Sequence, residues 1–508
     1  MGDLRGFLNI ERAKEPKRDP GERLGDYRHV LTQLPVAELR DQGARCMDCG
    51  VPFCHEGCPL GNLIPDWNDL VYRDRWREAL DQLHATNNFP ELTGQICPAP
   101  CESACVLDIN SDAVTIKQIE LAIVNRGFEE GWIVADPPEE RTGRRVAVVG
   151  SGPAGMAVAA ELNKAGHTVV VFERDETAGG LNRFGVPDFK LEKWVIDRRI
   201  ALMEEEGVEF RCDVDVGRDV RASDLRRDYD AVVVATGSRV PRGLEAPGSD
   251  LGGIHRAMDY LYQRNRWVAA RDGRPFRDLE PADMPGGEEI SAAGRHVVVV
   301  GGGDTGMDCI ANAHREGPAS VTQIDTYAPV PEDGRYPETP WPEAPKRTPS
   351  TYALDEGGDR RFESTVTGFE GGEDGRVARA HVAHVLGKRE VVEGSEQTVP
   401  ADLVLVAIGF THPEHEGALA QLGVELDDRG NVHTEGWETS VEGVFACGDA
   451  RRGQSLTVWA IAEGRICAGA VDHWLCGTEG MLERQSIHEA TAGEGVVFGP
   501  PAEAVTPA

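Results

Sequence analysis

The chain of 508 residues holds no apolar run of about 18 residues, the length a helix needs to cross a bilayer, so no membrane-spanning helix is expected. Cations are scarce relative to anions: 53 Lys and Arg stand against 86 Asp and Glu, a formal net charge of −33. No local basic patch offsets that balance. A surface of this sign repels a phosphate backbone, which argues against nucleic acid as a partner. The first twenty residues carry Glu, Asp and Pro, unlike a secretory signal or an acid-poor transit peptide, and a cytoplasmic location is the expectation. No short repeat recurs along the chain, which excludes a solenoid.

Cysteine is present and unevenly spread. Seven of the twelve fall in the first 105 residues, as Cys46, Cys49, Cys54 and Cys58 and then Cys97, Cys101 and Cys105. Cytoplasmic thiols stay reduced, so clustered ones point to metal ligation before disulfides. Seven thiolates are too many for one tetrahedral site and one short of two four-ligand sites, so an eighth ligand is implied. Glu120, His55 and His84 are the candidates; Glu120 lies in the apolar stretch 114–124, which reads as a helix following the second cysteine group. Spacing does not name the metal, and zinc and iron–sulfur clusters both fit it. Iron–sulfur clusters carry single electrons, whereas zinc has no redox chemistry. Cys212, Cys309, Cys447, Cys467 and Cys476 show no paired spacing and read as buried thiols, unlike the paired cysteines of a thioredoxin-reductase-like enzyme.

Two glycine fingerprints follow. Residues 146–149 read as a buried strand, Gly150-Ser151-Gly152-Pro153-Ala154-Gly155 as a turn, 156–165 as a helix and 168–172 as the next strand, ending at Glu173. Such glycines let backbone N–H groups approach a pyrophosphate at a helix N-terminus, and the carboxylate about twenty residues on can hold ribose hydroxyls. Gly179-Gly180-Leu181 then brings backbone close to a ring or phosphate. The pattern returns as strand 296–300, Gly301-Gly302-Gly303-Asp304-Thr305-Gly306, helix 307–314 and strand 320–324, closed by Asp325. Near the C-terminus, GVFACGD (443–449) places Gly448 and Asp449 after a buried strand. A helix read over 454–465, with Thr457 in its first turn, would turn its positive end to a flavin pyrimidine, and Asp449 would bond the ribityl chain. Asp325 taken alone favours NADH over NADPH, while Lys346 and Arg347 are cations able to meet a 2′-phosphate, so the sequence leaves the coenzyme open.

The fold expected is α/β: an N-terminal all-helical iron–sulfur domain (1–143), then two Rossmann-like domains. The FAD-binding domain covers 144–255 and resumes at 410–508 with a C-terminal tail, and the NAD(P)H-binding domain occupies 256–409. The Pro-rich stretch 136–143 is the first linker. Within the helical part, residues 66–83 carry Trp67, Leu70, Val71, Trp76, Leu80 and Leu83 at mostly helical spacing, a core stripe. Residues 271–295 read as a loop or domain crossing, 327–349 as a Pro-rich segment, and the chain from about 489 as a tail.

Together CMDCGVPFC (46–54), NNFPE (87–91), ICPAPCE (96–102), GVPDFKL (185–191), GGGDTG (301–306) and GQSLTVWAIAEG (453–464) closely resemble the small (beta) subunit of bacterial glutamate synthase, over about residues 1–480. The likeness extends to related flavin and iron–sulfur modules, such as the N-terminal part of dihydropyrimidine dehydrogenase. The resemblance implies FAD, two [4Fe-4S] clusters and NADPH (or NADH) as electron donor. It implies Glu120 as the non-cysteine ligand, and electron delivery to FMN on a large (alpha) subunit that makes glutamate from glutamine and 2-oxoglutarate. No nucleophilic cysteine follows Met1 and no eightfold βα run is present, so those reactions belong on a partner. No side chain is singled out as catalytic. The alternative reading is the flavin and iron–sulfur subunit of another electron-transfer complex, of the ferredoxin-linked transhydrogenase or sulfide dehydrogenase type.

Overall fold

The computed structural model describes residues 2–331, 336–337, 339–344, 352–387, 390–477 and 480–482. Lys346, Arg347 and the tail from about 489 lie outside the described residues. The N-terminal part is built from short helices, chief among them Val36–Ala44, Ile64–Tyr72, Trp76–Thr86, Pro90–Ile96 and Ile116–Glu129. The stripe expected over 66–83 is two helices, not one. Asp74 sits in the left-handed region at φ 62° and breaks them apart, and its carboxylate accepts the Trp76 indole N–H at 2.8 Å. A short polar side chain tolerates that backbone and stabilises the bend. Trp67, Val71, Trp76, Leu80 and Leu83 are all buried and pack with Ile119 and Ile123 into one core.

Valine-rich runs that are buried on both faces form parallel strands, as their unbroken apolarity requires. In the larger sheet, strand Arg145–Val149 lies between Thr168–Phe172 and Ala231–Val234, all parallel. Strand Val444–Ala446 returns from far along the chain to pair in parallel with Ala231–Val234, Phe445 opposite Val233. That return brings Gly448 and Asp449 to the same sheet end as the first glycine turn. The second sheet has the order Ile254–Arg256, Leu403–Val406, His296–Val300, Ser320–Ile324, Asp359–Arg361, all parallel. A four-stranded antiparallel sheet from residues 364–400 stands beside it. The C-terminal helix is Thr457–Cys476, longer than the reading over 454–465, and lies against helix Pro153–Lys164. Gly464 permits that approach, since a Cβ there would stand 2.4 Å from the Ala154 carbonyl oxygen.

Charged pairs lock the helical part to both lobes. Arg199 of helix Lys193–Glu205 donates to Glu91 at 2.5 and 3.0 Å, with both side chains buried. Removing one member of a buried pair strands the other charge, so Glu91→Ala is expected to destabilise the chain by about 3–5 kcal/mol, read as a lowered midpoint in urea. A change below about 1 kcal/mol would show that the pair does not hold the interface. At the N-terminus, Arg23 donates to Glu356 and to the Tyr352 carbonyl, each at 2.7 Å, while Arg315 takes the other Glu356 oxygen at 2.8 Å. All three charged side chains are fully buried. The strap around residue 23 is thereby pinned to the lobe built on the second sheet.

Candidate functional site

The first glycine turn is held by its neighbours at close range. Gly150 has φ 104°, and a Cβ there would stand 2.4 Å from the Ala235 carbonyl oxygen. At Gly155 a Cβ would lie 1.9 Å from the Gly150 oxygen, so the helix packs directly on its own turn. Gly152, by contrast, faces open space. Glu173 is buried: one carboxylate oxygen accepts the Ser151 backbone N–H at 3.0 Å and the Ser151 hydroxyl at 2.5 Å, and the other accepts Asp175 N–H at 2.9 Å. Burial, and the charge of nearby Asp175, push its carboxyl above the usual range. Ser151 was not among the expected site residues, yet its hydroxyl also accepts Gly179 N–H at 2.9 Å and so ties Gly179-Gly180 to the turn. Gly180, at φ 54°, passes so near that a Cβ would stand 2.7 Å from Gly152 Cα.

From the other side, Gly448 meets helix Pro153–Lys164 at Ala154, and its N–H donates to the buried Glu463 at 2.9 Å. Asp449 accepts the Ser455 hydroxyl at 2.6 Å, and burial pushes its carboxyl up to about 6. Thr457, the first residue of the C-terminal helix, reaches Asn182 beside Leu181 at 3.4 Å. Gly150, Gly152, Gly155, Gly180, Leu181, Gly448, Asp449 and Thr457 thus converge at one sheet end, although they come from three separate stretches of chain.

The second turn repeats the construction. A Cβ at Gly301 would stand 2.2 Å from the Ala407 oxygen, and one at Gly306 2.7 Å from the Gly301 oxygen. Gly303 and Asp304 are exposed and Thr305 is half-buried, so this helix N-terminus is open to a ligand. Asp325 is buried under the turn, receives Tyr327 N–H at 3.1 Å and pairs with Arg360 at 3.3 Å. Between the two lobes Lys190, of the GVPDFKL stretch, pairs with the buried Asp308 at 3.0 Å, and Asp308 also accepts the Tyr352 hydroxyl at 2.9 Å.

The seven clustered cysteines line two cavities. One is lined by Cys46, Cys49, Cys54 and Cys105, the other by Cys58, Cys97, Cys101 and Glu120. The chain groups interleave: Cys105 joins the first three cysteines, and Cys58 crosses to the second group. Neither His55 nor His84 lines either cavity. Glu120 is buried, and one of its oxygens takes both the Thr93 hydroxyl at 2.6 Å and the Asn87 amide at 2.9 Å. Burial pushes the Glu120 carboxyl up to about 7 and the Cys46 and Cys58 thiols up to about 11. A set of buried thiols with raised pKa values keeps its protons unless a cation takes up the charge. Four sulfurs in one cavity, and three with a carboxylate in the other, therefore fit metal centres of four donors each.

Two family matches divide the chain at the same place as the architecture. Residues 23–132 match the dihydropyrimidine dehydrogenase domain II, 4Fe-4S cluster family, and residues 144–464 match the pyridine nucleotide-disulphide oxidoreductase family. The glutamate synthase [NADPH] small chain of Mycobacterium tuberculosis (strain CDC 1551 / Oshkosh) is 52% identical over 95% of this chain and 98% of its own length. The chain belongs to the glutamate synthase small-chain family. The small chain of Bacillus subtilis (strain 168) is 44% identical over 94% of this chain and 99% of its own. A fission yeast protein named glutamate synthase [NADH] is 45% identical over 95% of this chain, which spans 24% of that longer protein. As a member of this family, the chain is a nicotinamide-nucleotide and flavin oxidoreductase with an iron–sulfur domain. Among the described residues no helix is long and apolar enough to cross a membrane.

Other functional details were not visible in the spacing. Thr93 and Asn87 orient Glu120, and the NNFPE motif that contains Asn87 was the one available signal. Cys309, Cys447 and Cys467 are buried as expected, but Cys212 and Cys476 are half-exposed. Cys447 and Cys467 lie in the same core, and contact between them pushes the Cys447 thiol well up.

Proposed function

We propose that this chain is the electron-input subunit of a cytoplasmic glutamate synthase, binding FAD, two [4Fe-4S] clusters and NADPH, and working with a large subunit that carries FMN. When bound, FAD would supply two-electron chemistry toward the single hydride of the coenzyme, and the clusters one-electron chemistry toward the partner's site of glutamate formation. The chain's own residues hold and orient. Gly150, Gly152 and Gly155 would present backbone N–H groups to the FAD pyrophosphate, with Glu173 fixing the turn through Ser151 and Gly180-Leu181 closing over it. Asp449 would take the ribityl chain, and the positive end of helix Thr457–Cys476 would face the flavin pyrimidine.

Gly301, Gly303, Asp304, Thr305 and Gly306 would hold the coenzyme diphosphate. Arg360 covers the charge of Asp325 at 3.3 Å, so this carboxylate does not stand unpaired against a 2′-phosphate. That pairing reconciles an acidic strand end with NADPH; NADH is the other candidate donor. Cys46, Cys49, Cys54 and Cys105 would ligate one cluster, and Cys58, Cys97, Cys101 and Glu120 the other. The observation that carries the reading is this division of eight donors into two four-donor cavities in a member of the small-chain family.

Affinity purification of the tagged full chain from its native cell tests the proposal. The expected companion is a large FMN-containing amidotransferase subunit. Recovery of a different redox partner without that subunit would place the chain in a transhydrogenase-like or sulfide-dehydrogenase-like complex.

A further inference from the structure

Two residues that line the cavity of Cys46, Cys49, Cys54 and Cys105 are backed from outside by a distant part of the chain. Trp341 lies in the Pro-rich segment between strands Ser320–Ile324 and Asp359–Arg361 of the second sheet, 236 positions after Cys105, and its indole N–H donates to the Cys105 carbonyl oxygen at 3.1 Å. Its ring lies 4.7 Å from that of Phe53, which lines the same cavity directly before Cys54. Cys49 and Cys54 are half-exposed, whereas Cys58, Cys97 and Cys101 are buried, so this cavity is the one nearer to water. The contact joins two parts already pinned together, since the buried Arg23–Glu356–Arg315 cluster ties the N-terminal strap to the same lobe.

We propose that Trp341 is a positioning residue for the outer four-cysteine site: it closes that site against water and fixes the Cys105 backbone from the coenzyme-binding lobe. The inference rests on the proposed iron–sulfur reading of the cysteines. Its physical basis is the pairing of a large apolar ring, which excludes water, with an N–H donor that fixes one ligand-bearing strand of backbone. Sulfur and iron at a water-accessible edge are the first to be attacked by oxygen or chelator, and a wall there sets the rate of loss. The coenzyme lobe thus contributes to the site without supplying a ligand.

The test compares anaerobically purified wild-type full chain with Trp341→Ala and Trp341→Phe. The readouts are iron and flavin content, then the rates of iron release to an excess of ferrous chelator and of bleaching near 400 nm in air. Trp341→Ala is expected to keep its flavin and speed the faster phase of release by about tenfold, leaving the slower phase alone. Trp341→Phe keeps a ring against Phe53 but loses the N–H donor, and is expected to speed the same phase by about threefold. If Trp341→Ala yields no folded protein, Trp341→Phe decides. Wild-type iron with unchanged release rates in the variants would overturn the role of Trp341 alone. A wild-type chain without iron would instead overturn the iron–sulfur reading beneath it.

Discussion

Cys105→Ala is expected to remove the same metal centre as Cys49→Ala, and neither is expected to touch the centre removed by Cys58→Ala or Cys101→Ala. Each single substitution should lower iron from about eight to about four atoms per chain. The pairings decide the matter. A Cys49→Ala, Cys105→Ala double variant should lose no more iron than either single, because both side chains line one cavity. A Cys49→Ala, Cys101→Ala double variant should lose nearly all of it, because these line different cavities. Sequence order would suggest the opposite grouping, with Cys58 beside Cys54 and Cys105 beside Cys101. Glu120→Ala belongs with the Cys58 set and should alter the electron paramagnetic resonance of that centre alone. Losses that follow sequence order, not cavity membership, would refute the assignment.

The second large effect separates two glycines of one turn. Gly155→Ala is expected to prevent FAD binding by spoiling the fold, since its Cβ would stand 1.9 Å from the Gly150 oxygen and neither backbone can give way. Gly152→Ala meets nothing within 4 Å in the protein itself, so the chain should fold with its melting temperature nearly intact. In the proposed FAD site Gly152 is where backbone would come close to the pyrophosphate, so its variant should bind FAD at least about tenfold more weakly. Flavin content and thermal unfolding of the two variants check this. Equal FAD affinity in Gly152→Ala and wild type would place the pyrophosphate elsewhere.

Much of the scaffold was legible because it is local. Strands 168–172, 296–300 and 320–324 occur as read, since β-branched runs set a residue or two beyond Gly166, Gly294 and Gly317 leave little choice. The Trp67 to Leu83 stripe is core as its spacing requires, but the left-handed Asp74 that splits it has no periodic signature. The number of thiols called for an eighth donor. Which thiols meet depends on how the short helix Pro100–Ser103 packs against the short helix Phe53–Glu56, and spacing carries no record of that. The same holds for Glu91 with Arg199, Cys447 with Cys467, and Trp341 with Cys105: each joins groups brought together only by tertiary packing. Asp325 shows the limit from another direction, because its pairing partner is Arg360, 35 residues later.

By the proposed reading, the seven thiols and one carboxylate hold iron–sulfur clusters beside a flavin. Metal, sulfide and flavin analysis of the chain purified anaerobically, with Mössbauer spectroscopy, tests it most directly. About eight iron and about eight acid-labile sulfide per chain are expected, together with FAD and no stoichiometric zinc. Zinc in both cavities, with no sulfide and no iron, would contradict it.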